Sequence, residues 1–244
     1  MSSSEQAVPE ATSFSWFRML RLSTFQIGSA MGDILVTSIW NRVMISNFGM
    51  PAWPIGMLIA LRYFLSPLSL WAGHRSDTTK LFGFYRTSYI WFGRGLMVIS
   101  FPFLFLSLQQ LEGQTGDVLG WTYAVVCFIL YGIGTLLSGS PFLALVRDSA
   151  PRDSQGFAIS VAETALIIFF AISGISLSLW MEEYDPAIFR TMVITTMIIG
   201  GFFWTIGIIG IENQSVPPAI KEKYTQAKER IQFRPTLNKI WSDR

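Results

Sequence analysis

The chain has 244 residues, of which 51% are hydrophobic and only 14% charged, whereas an ordinary soluble domain carries roughly 25% charged residues. Twenty Phe, nine Trp and ten Met supply more apolar surface than a soluble fold of this size can hide, so the bilayer must take part of it. A net charge of +2 leaves no footprint for nucleic acid, and with Cys127 and His74 as the sole Cys and His, an internal disulfide is excluded and a protein-built zinc or iron–sulfur site is not expected.

Residues 1–17 open with a Ser/Glu/Pro-rich stretch that lacks a basic n-region before an apolar run. The expectation is a disordered cytoplasmic tail rather than a cleaved signal. The bundle follows over residues 18–211. A bilayer core of about 30 Å calls for roughly 20 apolar residues per helix, and six segments meet that length: 22–45, 52–72, 88–108, 119–143, 157–181 and 187–211. β-barrel spans would be about half as long and would alternate in polarity. The predicted fold is therefore an all-α integral membrane protein of six transmembrane helices.

The first segment carries Gly28-Ser29-Ala30-Met31-Gly32 and then Asp33; the second, after a turn at 46–51, carries Arg62. The third contains Arg94 and the fifth Glu163. Ionisable groups inside spans are costly and face the bundle interior or a polar cavity. Two acids and two bases predict two pairs, Asp33–Arg62 and Arg94–Glu163, either as static registers or as part of a substrate or proton pathway. The small residues of the first segment, of Gly132-Ile133-Gly134 and Ser138-Gly139-Ser140 in the fourth, and of Gly200-Gly201 and Gly207 in the sixth predict close helix approach.

The connections alternate in charge. Arg18 and Arg21 precede the first span, Arg75, Lys80 and Arg86 follow the second, and Arg147 and Arg152 follow the fourth, whereas 109–118 holds no Lys or Arg and 182–186 is acidic. Short cytoplasmic loops retain positive charge, so both termini are expected in the cytoplasm. The tail, 212–244, is read as a cytoplasmic linker whose charged part, 219–231, is either an interfacial helix or a solvated segment.

The loop 73–86 resembles the cytoplasmic signature of the major facilitator superfamily: Gly73, Arg75, Asp77, Gly83 and Arg86 bring a carboxylate and basic groups to one turn, where they can latch the cytoplasmic side. Arg147 and Asp148 occupy the corresponding place between the fourth and fifth spans, which fits two three-helix units.

More specifically, Leu22-Ser23-Thr24-Phe25-Gln26-Ile27-Gly28, Asn41-Arg42-Val43-Met44-Ile45, Pro51-Ala52-Trp53, Gly73-His74-Arg75-Ser76-Asp77-Thr78, Arg86-Thr87-Ser88-Tyr89-Ile90-Trp91-Phe92-Gly93 and Asp148-Ser149-Ala150-Pro151 resemble the PucC/LhaA-type bacteriochlorophyll-delivery family of the major facilitator superfamily. The resemblance implies the N-terminal six-helix half of a twelve-helix architecture. It implies a pigment-handling protein of the inner membrane (cytoplasmic, intracytoplasmic or thylakoid) that helps assemble light-harvesting or photosynthetic complexes. (Bacterio)chlorophyll and carotenoid are the implied cargo or bound pigments. The implied partners are lipid, antenna or reaction-centre polypeptides, and a second six-helix half or another copy. His74 is a candidate axial ligand to a pigment magnesium, although its loop position favours a solvated residue. No nucleophile or nucleotide loop is present, so no enzymatic activity is expected. The competing readings are a proton-coupled carrier of a small polar solute, motivated by the four intramembrane charges, and a structural subunit retained in a photosynthetic complex.

Overall fold

The computed structural model describes residues 14–79 and 81–212. The expectations for the first thirteen residues, for Lys80 and for 213–244 lie outside the described residues. Everything described is helix, turn or connection, apart from one isolated bridge between Leu81 and Phe84.

Helix α1 spans Trp16–Asp33 and starts where the Oγ of Ser15 accepts from the Arg18 amide at 3.4 Å. The chain does not stop at Asp33. It widens into π-helical turns over Ile34–Ile39, tightens at α2 (Trp40–Arg42), and widens again over Val43–Asn47. Phe14 packs edge-on against Trp16 and next to Phe157, and α1 starts two residues before the expected bundle boundary at residue 18.

The second span departs from the sequence reading in two ways. It breaks between α3 (Ala52–Phe64) and α4 (Pro67–Thr78), because Pro67 has no N–H to donate to Tyr63. The turn tightens instead, with Ser66 N–H to Tyr63 O at 3.2 Å and Leu68 N–H to Leu65 O at 2.9 Å. Helix α4 then continues through Gly73–Thr78, which the sequence reading assigned to a loop.

Helices α5 (Thr87–Leu111), α6 (Val118–Asp148), α7 (Gln155–Trp180) and α8 (Pro186–Ile208) complete the bundle. Asp117 caps α6 through the Gly120 amide, and Asp185 caps α8 through the amides of Ala187 and Ile188; each such cap contributes about 1 kcal/mol. Helix α8 closes at Gly210, whose φ of +73° is left-handed, a conformation that glycine adopts without steric cost.

Among the described residues, five helical stretches are long and apolar enough to cross a membrane: Ala52–Asp77, Thr87–Leu111, Val118–Asp148, Arg152–Trp180 and Pro186–Ile208. This is an all-α membrane protein. Helix α6 is the hub, packing on α3, α4, α5 and α7, while α1 packs on α7 and α8, and α5 on α8. Lipid is as apolar as leucine, so close backbone approach holds such helices together. A Cβ on Gly93 would lie 2.5 Å from the Gly134 carbonyl oxygen, and the reverse substitution meets the Gly93 oxygen at 2.5 Å. The α1–α8 crossing repeats this device, with a Cβ on Gly28 falling 2.7 Å from the Gly200 oxygen.

Candidate functional site

Two polar assemblies interrupt the apolar bundle. The inner one starts from Asp33, where α1 gives way to its π-helical turns. Gly32 leaves room beside it, since a Cβ there would come within 3.3 Å of the Tyr131 hydroxyl. Arg62 ends α3 against Gly132 of α6, whose absent side chain allows the approach: a Cβ would meet the Arg62 Cβ at 3.2 Å. Arg62 Nη1 donates to Asp33 Oδ1 at 3.0 Å, and the Tyr131 hydroxyl donates to the same oxygen at 3.2 Å. The side chains of Arg62 and Asp33 remain 25% and 20% exposed. The expected Asp33–Arg62 contact is thus present, with Tyr131 as a third member.

Arg94 does not meet Glu163. Helix α5 packs on α6 and α8, whereas α7 packs on α1 and α6, and no ion pair joins the two residues. The Arg94 guanidinium, buried with the whole residue 6% exposed, lies 4.4 Å from the Phe25 ring centroid and 4.8 Å from that of Trp204. Desolvated cation–π contacts of this kind are worth about 2 kcal/mol. Its Nη1 donates to Met97 Sδ at 3.2 Å and its Nε has no partner. Arg94 is also within electrostatic reach of Asp33 and Tyr131. Glu163 sits half-buried on α7, away from this assembly.

The outer assembly centres on Arg86, which precedes α5. Its Nε and Nη2 donate to Asp77 Oδ1 of α4 at 3.1 and 2.9 Å, and its Nη1 donates to the Ala144 carbonyl at 2.6 Å and to Asp148 Oδ2 of α6. Asp148 also accepts from Arg147 Nε at 3.4 Å. One guanidinium therefore ties α4 and α6 to the start of α5. Gly73 contributes space: a Cβ there would fall 2.7 Å from Ser140 Oγ, so a larger residue would require that hydroxyl to turn away. Gly83 contributes a left-handed turn, with φ of +86°, next to Phe82 at +50°. Arg75 and His74 stand on the exposed side of α4. His74 is on a helix rather than in a loop.

Two contributors to this assembly were not anticipated. Glu212, beyond the end of α8, accepts from the backbone amides of Tyr85 (2.6 Å), Arg86 (3.3 Å) and Thr87 (2.8 Å). It thereby caps the positive end of α5 across more than 120 residues. Arg21 reaches the other way, donating to the carbonyls of Ile206 at 2.7 Å and Ile209 at the end of α8. Tyr131 was legible in principle, as a hydroxylated aromatic in mid-span rather than at a membrane interface. Nothing local marks Glu212, because its partners are distant in sequence.

Among the described residues no group of three or more His, Cys, Asp or Glu could hold a metal ion. A cleft of about 570 Å³ lies beside the outer assembly, between α5 and the end of α8, lined by Phe82, Phe84, Trp91, Phe92, Ile99 and Ile209 among others.

The model of the family described as PUCC protein matches residues 39–243. Protein PucC of Rhodovulum sulfidophilum is 32% identical over 176 residues, covering 70% of this chain and 39% of that protein. An uncharacterised protein of the puhA-bchM intergenic region of Rhodobacter capsulatus is 28% identical, over 82% of this chain and 42% of its own. The bacteriochlorophyll synthase 44.5 kDa chain of Rhodobacter capsulatus is 23% identical, over 93% of this chain and 50% of its own. The chain thus spans half or less of the length of these curated relatives. No solved structure gives a significant match.

Proposed function

We propose that this chain, which belongs to the PUCC protein family, is a pigment-handling membrane protein that assists assembly of light-harvesting or photosynthetic complexes by delivering (bacterio)chlorophyll. The observation that carries the reading is kinship: a relative that aligns along 93% of the chain is named for bacteriochlorophyll synthesis. Six spans in the inner membrane with cytoplasmic termini complete the proposal, the sixth being the helical run from α1 through Asn47. Carotenoid, antenna or reaction-centre polypeptides, and a second six-helix half of major facilitator type, or another copy of the chain, are proposed as companions. No catalysis is proposed.

In this reading the outer assembly is a cytoplasmic latch. Arg86 holds α4 and α6 together, and Glu212 holds α8 to the start of α5, so a change at either place biases the whole cytoplasmic end between two arrangements. A carrier of a small polar solute is the second reading, favoured by the partly exposed Asp33–Arg62–Tyr131 triad.

The test is purification of the full chain in mild detergent followed by an absorption spectrum. Bound pigment with co-purifying antenna polypeptides is expected. Colourless protein that catalyses proton-dependent uptake in vesicles would replace this proposal with the carrier.

A further inference from the structure

The inner assembly is unbalanced. Arg62 and Arg94 bring two guanidinium groups, and among the described residues a single carboxylate, Asp33, stands within reach of both. Asp33 serves Arg62 and Tyr131 through Oδ1 alone, while Arg94 is left with π faces, a thioether and an unpartnered Nε. A surplus cation in a low-dielectric interior attracts anions strongly. Only the Arg62–Asp33 end is partly exposed, so an incoming anion meets Arg62 first. The backbone is adapted here as well: α1 switches to π-helical turns immediately after Asp33, and such turns concentrate at functional sites.

We propose that Arg62 is a recognition point for the anionic head of an amphiphile, a carboxylate or a phosphate, and that the incoming anion displaces Asp33, which then turns towards Arg94. The exchange conserves ion pairing. Before binding, one carboxylate serves Arg62 and Arg94 lacks an acid; after binding, each guanidinium has its own anion. Arg94 does not touch the ligand and acts as a positioning residue through Asp33. The proposal is independent of pigment delivery.

The full chain, immobilised in neutral detergent, is titrated with radiolabelled dodecanoate and dodecyl phosphate, with methyl dodecanoate as the uncharged control. Saturable binding of at least one of the two anions is expected, the stronger of them identifying the head group, with no saturable binding of the ester. Arg62→Gln is expected to weaken binding about tenfold and Arg62→Lys to restore part of it, since one charge-assisted contact is lost and then partly replaced. Asp33→Asn is expected to tighten binding, because it removes the internal competitor. Arg94→Gln is expected to weaken it, because the displaced Asp33 then has nowhere to go. Equal binding of the ester, or loss of binding in Asp33→Asn as severe as in Arg62→Gln, would overturn the proposal.

Discussion

At the scale of single residues, exposure separates contacts that stabilise from contacts that can signal. Asp77 is 47% exposed and Asp148 18%, although both pair with the same Arg86, itself 10% exposed. Exposed ion pairs are worth about 0–1 kcal/mol, so Asp77→Asn should leave abundance in the membrane nearly unchanged. Arg86→Ala unties α4 and α6 from the start of α5 and leaves Asp148, 18% exposed, with its 3.4 Å contact to Arg147, so it should cost more than Asp77→Asn and lower abundance. Immunoblots of the two strains check both outcomes. If the latch operates, antenna absorption falls in Asp77→Asn at undiminished protein level. The intramembrane charges give a second check. Because Arg94 and Glu163 do not touch, Arg94→Ala and Glu163→Ala should be additive in a double-mutant cycle measured by thermal unfolding in detergent, and coupling above about 0.5 kcal/mol would restore the pair that charge counting suggested. Charge counting missed the actual partners of Arg94, since aromatic faces carry no formal charge.

At the scale of elements, the spans were legible because hydropathy reports where lipid begins and ends. It does not report where a helix ends. Helix α4 runs on through His74, Arg75, Ser76 and Asp77 because a helix satisfies its own backbone in water as well as in lipid, so a polar stretch there mimicked a loop. The π-helical turns after Asp33 leave no trace in composition, and the break before Pro67 lies within a long apolar run where hydropathy does not register it. Glycines signalled close packing at Gly28, Gly134, Gly200 and Gly207, whereas Gly139 and Gly201 face open space; the Gly93–Gly134 crossing shows what such contacts do. Gly93→Ala forces α5 and α6 apart, and overpacking of this sort costs about 1–3 kcal/mol; a lowered melting temperature in detergent is the expected result. The Glu212 cap belongs to the same scale. Glu212→Ala leaves three amides at the start of α5 without an acceptor, with a cost of about 1–2 kcal/mol. Amide exchange at 85–87 should quicken, and unaltered protection there would show that the cap does not hold the two helix ends together.

At the scale of the whole molecule, the arrangement rests on sidedness. Gln114 and Arg152 are both exposed and lie in successive connections of the bundle. Cysteines placed at these positions in a Cys127→Ala background should react with an impermeant maleimide from opposite sides of the membrane, and labelling from one side alone would remove the six-span proposal. The basic connections read as topology signals also build structure: Arg21 closes the end of α8 and Arg86 gathers three helices. Family membership was legible from the motifs, whereas the partners of the charges depend on which helices pack together. The most direct measurement is antenna absorption per cell in the native host after deletion of this chain, with antenna transcripts monitored and the chain then restored. Loss of antenna absorption at unchanged transcript level, recovered on re-expression, is the predicted result; full absorption in the deletion strain would contradict a role in assembling the complexes.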